Sequence, residues 1–369
     1  MQSLNNHNAI NRSYRVWKIT TLTCILLCCF ACSRSEQQIK APDIKIITPE
    51  NIHGVIATDD AHIWLTGNYG TIFHSADRGK TWAEQNSGEE ETILCDGSFI
   101  NNETGWLVGL NGTILYTEDS GKTWVKQNTG TDKHLFSINF IDKDHGWAAG
   151  EWTTVLHTDN GGKTWQRQTK VRDSALNNIV FTNRKNGWVV GERGLILHTD
   201  DGGETWTKQT PEVFERETIE DLLENPPPSL FGVFFTDKNN GFACGIEGTI
   251  IATKDGGISW NQIPPVTDYT LYTIFIKDKK GWAVGDKGAY LMTEDGGTTW
   301  AYDETIIKSK QPFRDIYFTS LKNGWIAGGA GTVIHTIDGG KTWAFRSGLS
   351  YAMNFFQMPK GLEFGGGTE

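Results

Sequence analysis

Thirteen of the fifteen tryptophans in this 369-residue chain fall in two columns that advance together along the sequence. One column ends each unit, at Trp82, Trp124, Trp165, Trp206, Trp260, Trp300 and Trp343, with intervals of 42, 41, 41, 54, 40 and 43 residues. The other holds Trp64, Trp106, Trp147, Trp188, Phe242, Trp282 and Trp325 at the same intervals. Each unit contains four short runs rich in β-branched and aromatic residues, separated by Gly, Asn and Asp. Leu135–Ile141, Gly146–Gly150, Thr154–Thr158 and Thr164–Gln168 are one such set. A lone four-stranded meander cannot bury both of its apolar faces, whereas copies packed around an axis bury them against one another. The expected fold is therefore an all-β propeller of four-stranded blades.

The turn between the third and fourth runs is the most regular part of the unit, as in Thr336-Ile-Asp338-Gly-Gly340-Lys-Thr-Trp343. It resembles the Asp-box, or bacterial neuraminidase repeat. An Asp side chain accepts backbone N–H bonds within the turn, Gly supplies positive φ, and Trp packs beneath. The positions are Asp77, Asp119, Asn160, Asp201, Asp255, Asp295 and Asp338, with Asn160 able to make the same cap. Seven boxes at one spacing speak for fold maintenance and are nearly silent on activity.

After the seventh box, Leu349–Phe356 and Gly361–Gly365 match the first two strands of a further unit, and Asp43–Pro49 is suited to an outer strand. The expectation is eight blades, seven complete and one split between the chain ends, with seven blades as the alternative. The 54-residue interval reports an insertion, Glu212–Ser229. In it Val213, Ile219, Leu222 and Leu223 recur near helical spacing before Pro226-Pro227-Pro228. It joins a fourth strand to the next first strand, and such connections share a face with the second-to-third-strand turns.

Residues 1–31 carry Arg12, Arg15 and Lys18 with no acid, followed by an apolar run, Ile19–Ala31, too short to span a bilayer as a helix. This reads as an export signal. Its end, Leu26-Leu27-Cys28-Cys29-Phe30-Ala31-Cys32, resembles a bacterial lipobox and makes Cys32 the expected lipidation site. The expected organisation is a signal peptide over 1–31, a tether over 32–42, the propeller over 43–365 and a tail over 366–369. The protein would then be exported and membrane-anchored, facing the periplasm or lumen or lying at the cell surface. Removing three cations from a formal charge of −10 leaves −13 on the body, which repels phosphate backbones and argues against a nucleic-acid partner. Four cysteines sit in the first 32 residues. Cys95 and Cys244, 149 residues apart in different repeats, read as packed thiols.

Candidate chemistry is sparse, and no cofactor or metal set is indicated. His74, His157, His198 and His335 occupy one column on four blades, where equivalent positions point outward around a ring and do not converge on an ion. Asp96 and Asp315 share a column near the start of the innermost strand. They are the best candidates for the paired carboxylates of an Asp-box glycosidase. Sialidases use three arginines, a Tyr-Glu nucleophile pair and an acid Asp, and no such set can be assembled. Two features break the repeat on the expected ligand face: Glu151-Trp152, which fills a turn where other repeats carry Gly, and the insertion. Trp152 is the only body tryptophan outside the two columns.

Residues 43–365 resemble the photosystem II assembly and stability factor family, whose members are thylakoid propeller proteins and include bacterial lipoproteins. The resemblance rests on Gly187-Trp188-Val-Val-Gly191-x-x-Gly194 followed by Thr199-x-Asp201-Gly-Gly203-x-Thr-Trp206, on the lipobox and on the split closure. It implies binding of membrane-protein subunits, help in their assembly, and no catalysis. Photosynthetic members use an arginine cluster on one face. Here Arg172, Arg193 and Arg314 lie near blade starts or second-to-third-strand turns and are the arginines placed to converge. The expected function is a non-catalytic, membrane-tethered propeller that binds a protein partner, with a glycoside hydrolase or carbohydrate-binding propeller as the alternative. Glu151, Trp152, Arg172, Arg193, Arg314, Asp315 and Asp96 are the candidate binding residues.

Overall fold

A computed structural model describes residues 50–169, 174–216, 218–304 and 307–346. The signal with Cys32, the tether, Asp43–Pro49, Arg172, Leu349–Gly365 and the tail lie outside the described residues.

Seven four-stranded antiparallel sheets follow one another in sequence order, each a simple meander. The first strands, Ile52–Ala57, Leu94–Phe99, Leu135–Phe140, Leu176–Phe181, Leu230–Phe235, Leu271–Lys277 and Phe313–Phe318, pack side by side around the axis. Each second strand of the Gly-Trp-x-x-Gly type is buried along its whole length.

The first tryptophan column sits between blades. Trp188 of blade four is fully buried and stacks on Phe235 of blade five at 3.7 Å. Its Nε1 donates to the Gly256 carbonyl in the blade-five box at 3.0 Å. Trp106 on Phe140 (3.5 Å), Trp147 on Phe181 (3.6 Å) and Trp282 on Phe318 (3.5 Å) repeat the arrangement. The glycine before the column aromatic in six of the seven units follows from that packing, since a Cβ at Gly187 would meet the Phe181 ring at 2.4 Å. In five of the seven units one Trp and one Gly thus encode how a blade seats on its neighbour.

The boxes form as the residue types predict. Asp201 accepts from Thr205 N (2.9 Å), Thr205 Oγ1 (2.6 Å) and Thr199 Oγ1 (2.8 Å), while Gly203 takes φ 96°. These bonds, the Thr205 hydroxyl foremost, hold the Asp201 carboxyl down at about 2. Asn160 makes the same cap, accepting from Thr164 N (3.0 Å) and donating to Thr164 Oγ1 (2.8 Å). Asp201→Ala is accordingly expected to cost about 1–2 kcal/mol and Asp201→Asn well under half of that, read from chemical denaturation midpoints. Equal costs for the two would contradict the capping role.

Blade seven meets blade one directly. Asp315 Oδ2 accepts from Val55 N at 2.8 Å, Gly331 N donates to Glu50 O at 2.7 Å, and Trp82 packs edge-on against Trp325. The seam is closed by the same kinds of contact that join the other blades, so the ring among the described residues has seven blades. The preferred eight-bladed closure is not shown, and the seven-bladed alternative fits. Both segments on which the eighth blade rested, Asp43–Pro49 and Leu349–Gly365, lie outside the described residues.

The insertion forms a 3₁₀ turn, Glu212–Phe214, and a short helix α1, Ile219–Glu224, capped by the Thr218 hydroxyl accepting from Asp221 N at 3.0 Å. Phe214 is buried, and both Phe214 and Pro227 lie over Gly194 in the second-to-third-strand turn of blade four. Turns and insertion therefore share one face. The boxes lie on the other, where Arg78 N bonds Ala61 O and Ser120 N bonds Glu103 O.

Candidate functional site

Every first strand carries a β-bulge one residue after its start, between Ile52 and Gly54, Leu94 and Asp96, and so on around the ring. A bulge leaves its extra residue unpaired and re-aims its side chain. The seven bulged residues are His53, Cys95, Phe136, Asn177, Phe231, Tyr272 and Arg314, all partly buried. Together they line one cavity of about 300 Å³ at the axis, which is the channel mouth on the insertion face. Their chemistry does not repeat from blade to blade, although the backbone does.

Asp96 and Asp315 stand next to these residues in the same mouth. Asp315 reaches across the seam to Val55 N and also accepts from Ile316 N at 2.8 Å. Asp96 accepts from Gly97 N (2.7 Å), Ser137 Oγ (2.9 Å) and Ile138 N (3.1 Å), the last two in blade three. Ser137 and Asn178, at the same position of blades three and four, accept from Ile179 N (3.3 Å) and Val233 N (3.2 Å) of the next blade. The inner edge of each first strand has no sheet partner, and its N–H groups need acceptors. The two aspartates are stitches of that kind, which accounts for their shared column.

Burial pushes Asp96 up to about 6 and Asp315 up to about 7, the latter with help from the Asp96 charge. Burial lowers His53 below its ordinary value. The Arg314 guanidinium lies over the Tyr272 ring at 4.6 Å, its Nε is buried without a partner, and the Tyr272 hydroxyl donates to Asp286 at 2.8 Å. Raised carboxyl values mean that the fold favours the protonated acids. Their contribution is complete below the unfolded value near 4 and is lost as pH rises through 6 to 7. The histidines stacked on Trp64, Trp147, Trp188 and Trp325 are lowered by burial and work in the opposite sense on acidification. The prediction is therefore differential. Asp315→Asn is most destabilising relative to the parent at pH 5, and the gap narrows by pH 8 in denaturation midpoints. A gap independent of pH would show that Asp315 does not carry the proton.

The other sequence candidates among the described residues are not drawn into the mouth. Glu151 accepts from His134 N at 3.2 Å and braces its own blade. Trp152 is 54% exposed on the rim of the same face, in the left-handed region at φ 55°. The next residue, Thr153, is also left-handed at φ 51° where the other six turns place Gly, so this turn is strained. Arg193 lies in a separate cleft beneath α1. Of the two named arginines among the described residues, Arg193 and Arg314, only Arg314 reaches the axis. Cys95 and Cys244 are free thiols, raised to about 12 by burial.

His53, Phe136, Asn177, Phe231 and Tyr272 were absent from the sequence candidates. Their signal was present as an inner-strand column in which residue type changes from each repeat to the next.

The family model of the photosynthesis system II assembly factor YCF48 matches overlapping stretches, 89–171, 124–213, 169–225, 217–302 and 259–352. Together they span well over half of the chain. The chain belongs to this family. A solved structure titled YCF48 bound to D1 peptide is 21% identical, with TM-score 0.65 over 81% of this chain and 99% of that one. YCF48 from Cyanidioschyzon merolae is 18% identical, with TM-score 0.65 over 79% and 97%. The GH74 xyloglucanase from Xanthomonas campestris is 10% identical, with TM-score 0.65 over 82% of this chain and 55% of that one. At these identities the YCF48 structures and the xyloglucanase alike share the fold alone. No curated protein matches the sequence. What sets this YCF48-family chain apart from a generic propeller is thus its mouth and its insertion.

Proposed function

We propose that this protein is a non-catalytic propeller, exported and tethered to a membrane, that binds a membrane-protein subunit or complex across the insertion face and assists its assembly. The observation that carries the reading is the convergence of seven bulge residues of six different types, Phe136, Phe231, Tyr272 and Arg314 among them, at the channel mouth. Aromatic and arginine side chains in a partly desolvated depression are the usual anchors of protein interfaces. Exposed apolar side chains on the surrounding face, Tyr69 and Trp152 among them, extend the contact area. The YCF48 structure carrying a D1 peptide supports a protein ligand. The tether rests on the lipobox-like end at Cys32.

The alternative, a glycoside hydrolase or carbohydrate-binding propeller, draws on Asp96 and Asp315 sharing the mouth with raised values. Against it, both carboxylates are engaged by backbone N–H donors across blade seams. Xyloglucan and a glycan panel discriminate the two. The binding reading predicts no turnover, and turnover abolished by both Asp96→Asn and Asp315→Asn would sink it. Its positive test is recovery of a defined subunit from detergent-solubilised membranes by the parent protein and not by a mouth variant.

A further inference from the structure

The cleft between blades three and four encloses about 700 Å³, a size typical of small-molecule sites, and α1 roofs it. Its apolar walls are Leu195, Leu197 and Trp206 from blade four and Leu222 and Leu223 from α1. Leu222 and Leu223 are 45% and 75% exposed, so the helix presents apolar surface that the fold itself leaves uncovered. Arg193 and Lys208 also line the cleft, and among the described residues neither forms an ion pair. Glu192, the carboxylate on this lining, accepts the Ala175 N–H at 3.2 Å. Two uncommitted cations beside an apolar wall stand out in a chain of net charge −10.

The junction beneath the cleft also differs from its neighbours. At three other junctions, the two flanking ones among them, the box tryptophan donates to the glutamine that ends the preceding blade: Trp124 to Gln85 (3.2 Å), Trp165 to Gln127 (3.0 Å) and Trp260 to Gln209 (3.4 Å). Here Trp206 Nε1 and Gln168 Oε1 are both buried and both without a hydrogen-bond partner. The Trp–Gln bond kept at the two flanking junctions is thus missing beneath the cleft that α1 roofs.

We infer that this cleft binds an amphipathic carboxylate, a small molecule with one anionic head and an unbranched apolar body. The head pairs with Arg193 and Lys208. The body lies along Leu195 and Leu197 and is covered by Leu222 and Leu223, which removes the exposed helix face from water. This site is separate from the channel mouth and does not depend on the protein-partner reading.

Titration calorimetry with dodecanoate below its micellar concentration tests it, with dodecyltrimethylammonium as the probe of opposite charge. One saturable site per chain is expected for dodecanoate and none for the cation. Affinity should fall at least tenfold both in Arg193→Gln/Lys208→Gln and in Leu222→Ser/Leu223→Ser. All four positions are exposed or half-exposed, and unchanged circular dichroism confirms the fold of each variant. No binding up to millimolar dodecanoate, equal binding of the two probes, or affinity unchanged in either double variant overturns the assignment.

Discussion

Replacing Trp188 by alanine is expected to destabilise the ring by about 3–5 kcal/mol, the range for deleting a fully buried large aromatic. The side chain is 0% exposed, stacked on Phe235 in the next blade and on His198 in its own, and packed among Val190, Ile196 and Leu230. Its Nε1 bond contributes little to that figure, because the Gly256 carbonyl keeps a second donor in Gln209 Nε2 at 3.1 Å. The cost is therefore chiefly the cavity opened between two blades that are joined by side chains and not by a shared sheet. Trp188→Phe is expected to cost less than half as much, since blade five carries Phe242 at this column and buries it to 8% exposure. Chemical denaturation followed by near-UV circular dichroism measures both. Similar losses for Ala and Phe would mean that the hydrogen bond, and not the packing, joins the blades.

The second large effect is on binding. A Phe231→Ala/Tyr272→Ala/Arg314→Gln variant is expected to lose partner affinity by about 100-fold or more, with little change in stability. Truncating interface anchors in a desolvated depression costs about 2 kcal/mol or more at the strongest positions, and each 1.4 kcal/mol is tenfold. The three residues are partly buried bulge positions, so their backbone pairing survives truncation. Tyr272 and Arg314 act as a stacked pair and are removed together. The measurement is immobilised-partner binding alongside a denaturation midpoint. Full affinity in the variant would move the interface away from the mouth.

The blade architecture was legible because its determinants are local and repeated. Trp at the second strand, Gly before it and Asp in the box each do one job from unit to unit, with Phe242, Ile63 and Asn160 as tolerated substitutes. Closure was not legible in the same way. Leu349–Gly365 copies the phrase of a first and second strand, but what joins blade seven to blade one is long-range: Asp315 to Val55 and Gly331 to Glu50. Pattern within a repeat carries no information on which repeats end up adjacent.

The site was half legible. Asp96, Arg314 and Asp315 were placed near the start of the inner strand and do meet at the axis, because a shared column in a ring becomes a shared radius. The bulge that turns His53, Phe136, Phe231 and Tyr272 toward the same point is a register irregularity, and residue spacing does not reveal it. Arg193 was grouped with Arg314 on spacing alone. It instead faces a cleft that exists only because the insertion folds back over blade four. Trp152 announced itself by breaking the pattern. The strain behind that break, a left-handed Thr153 in a position otherwise kept for Gly, belongs to the backbone and not to the composition.

The most direct test of partner binding at the mouth is site-specific photocrosslinking in native membranes, with the photoreactive residue placed at Phe231 or at Ile258. Ile258 is 87% exposed on the box face, and Phe231 lines the mouth. A discrete adduct to one membrane-protein subunit from position 231, with none from position 258, is the predicted result. Adducts from position 258 alone, or the same adducts from both positions, would contradict it.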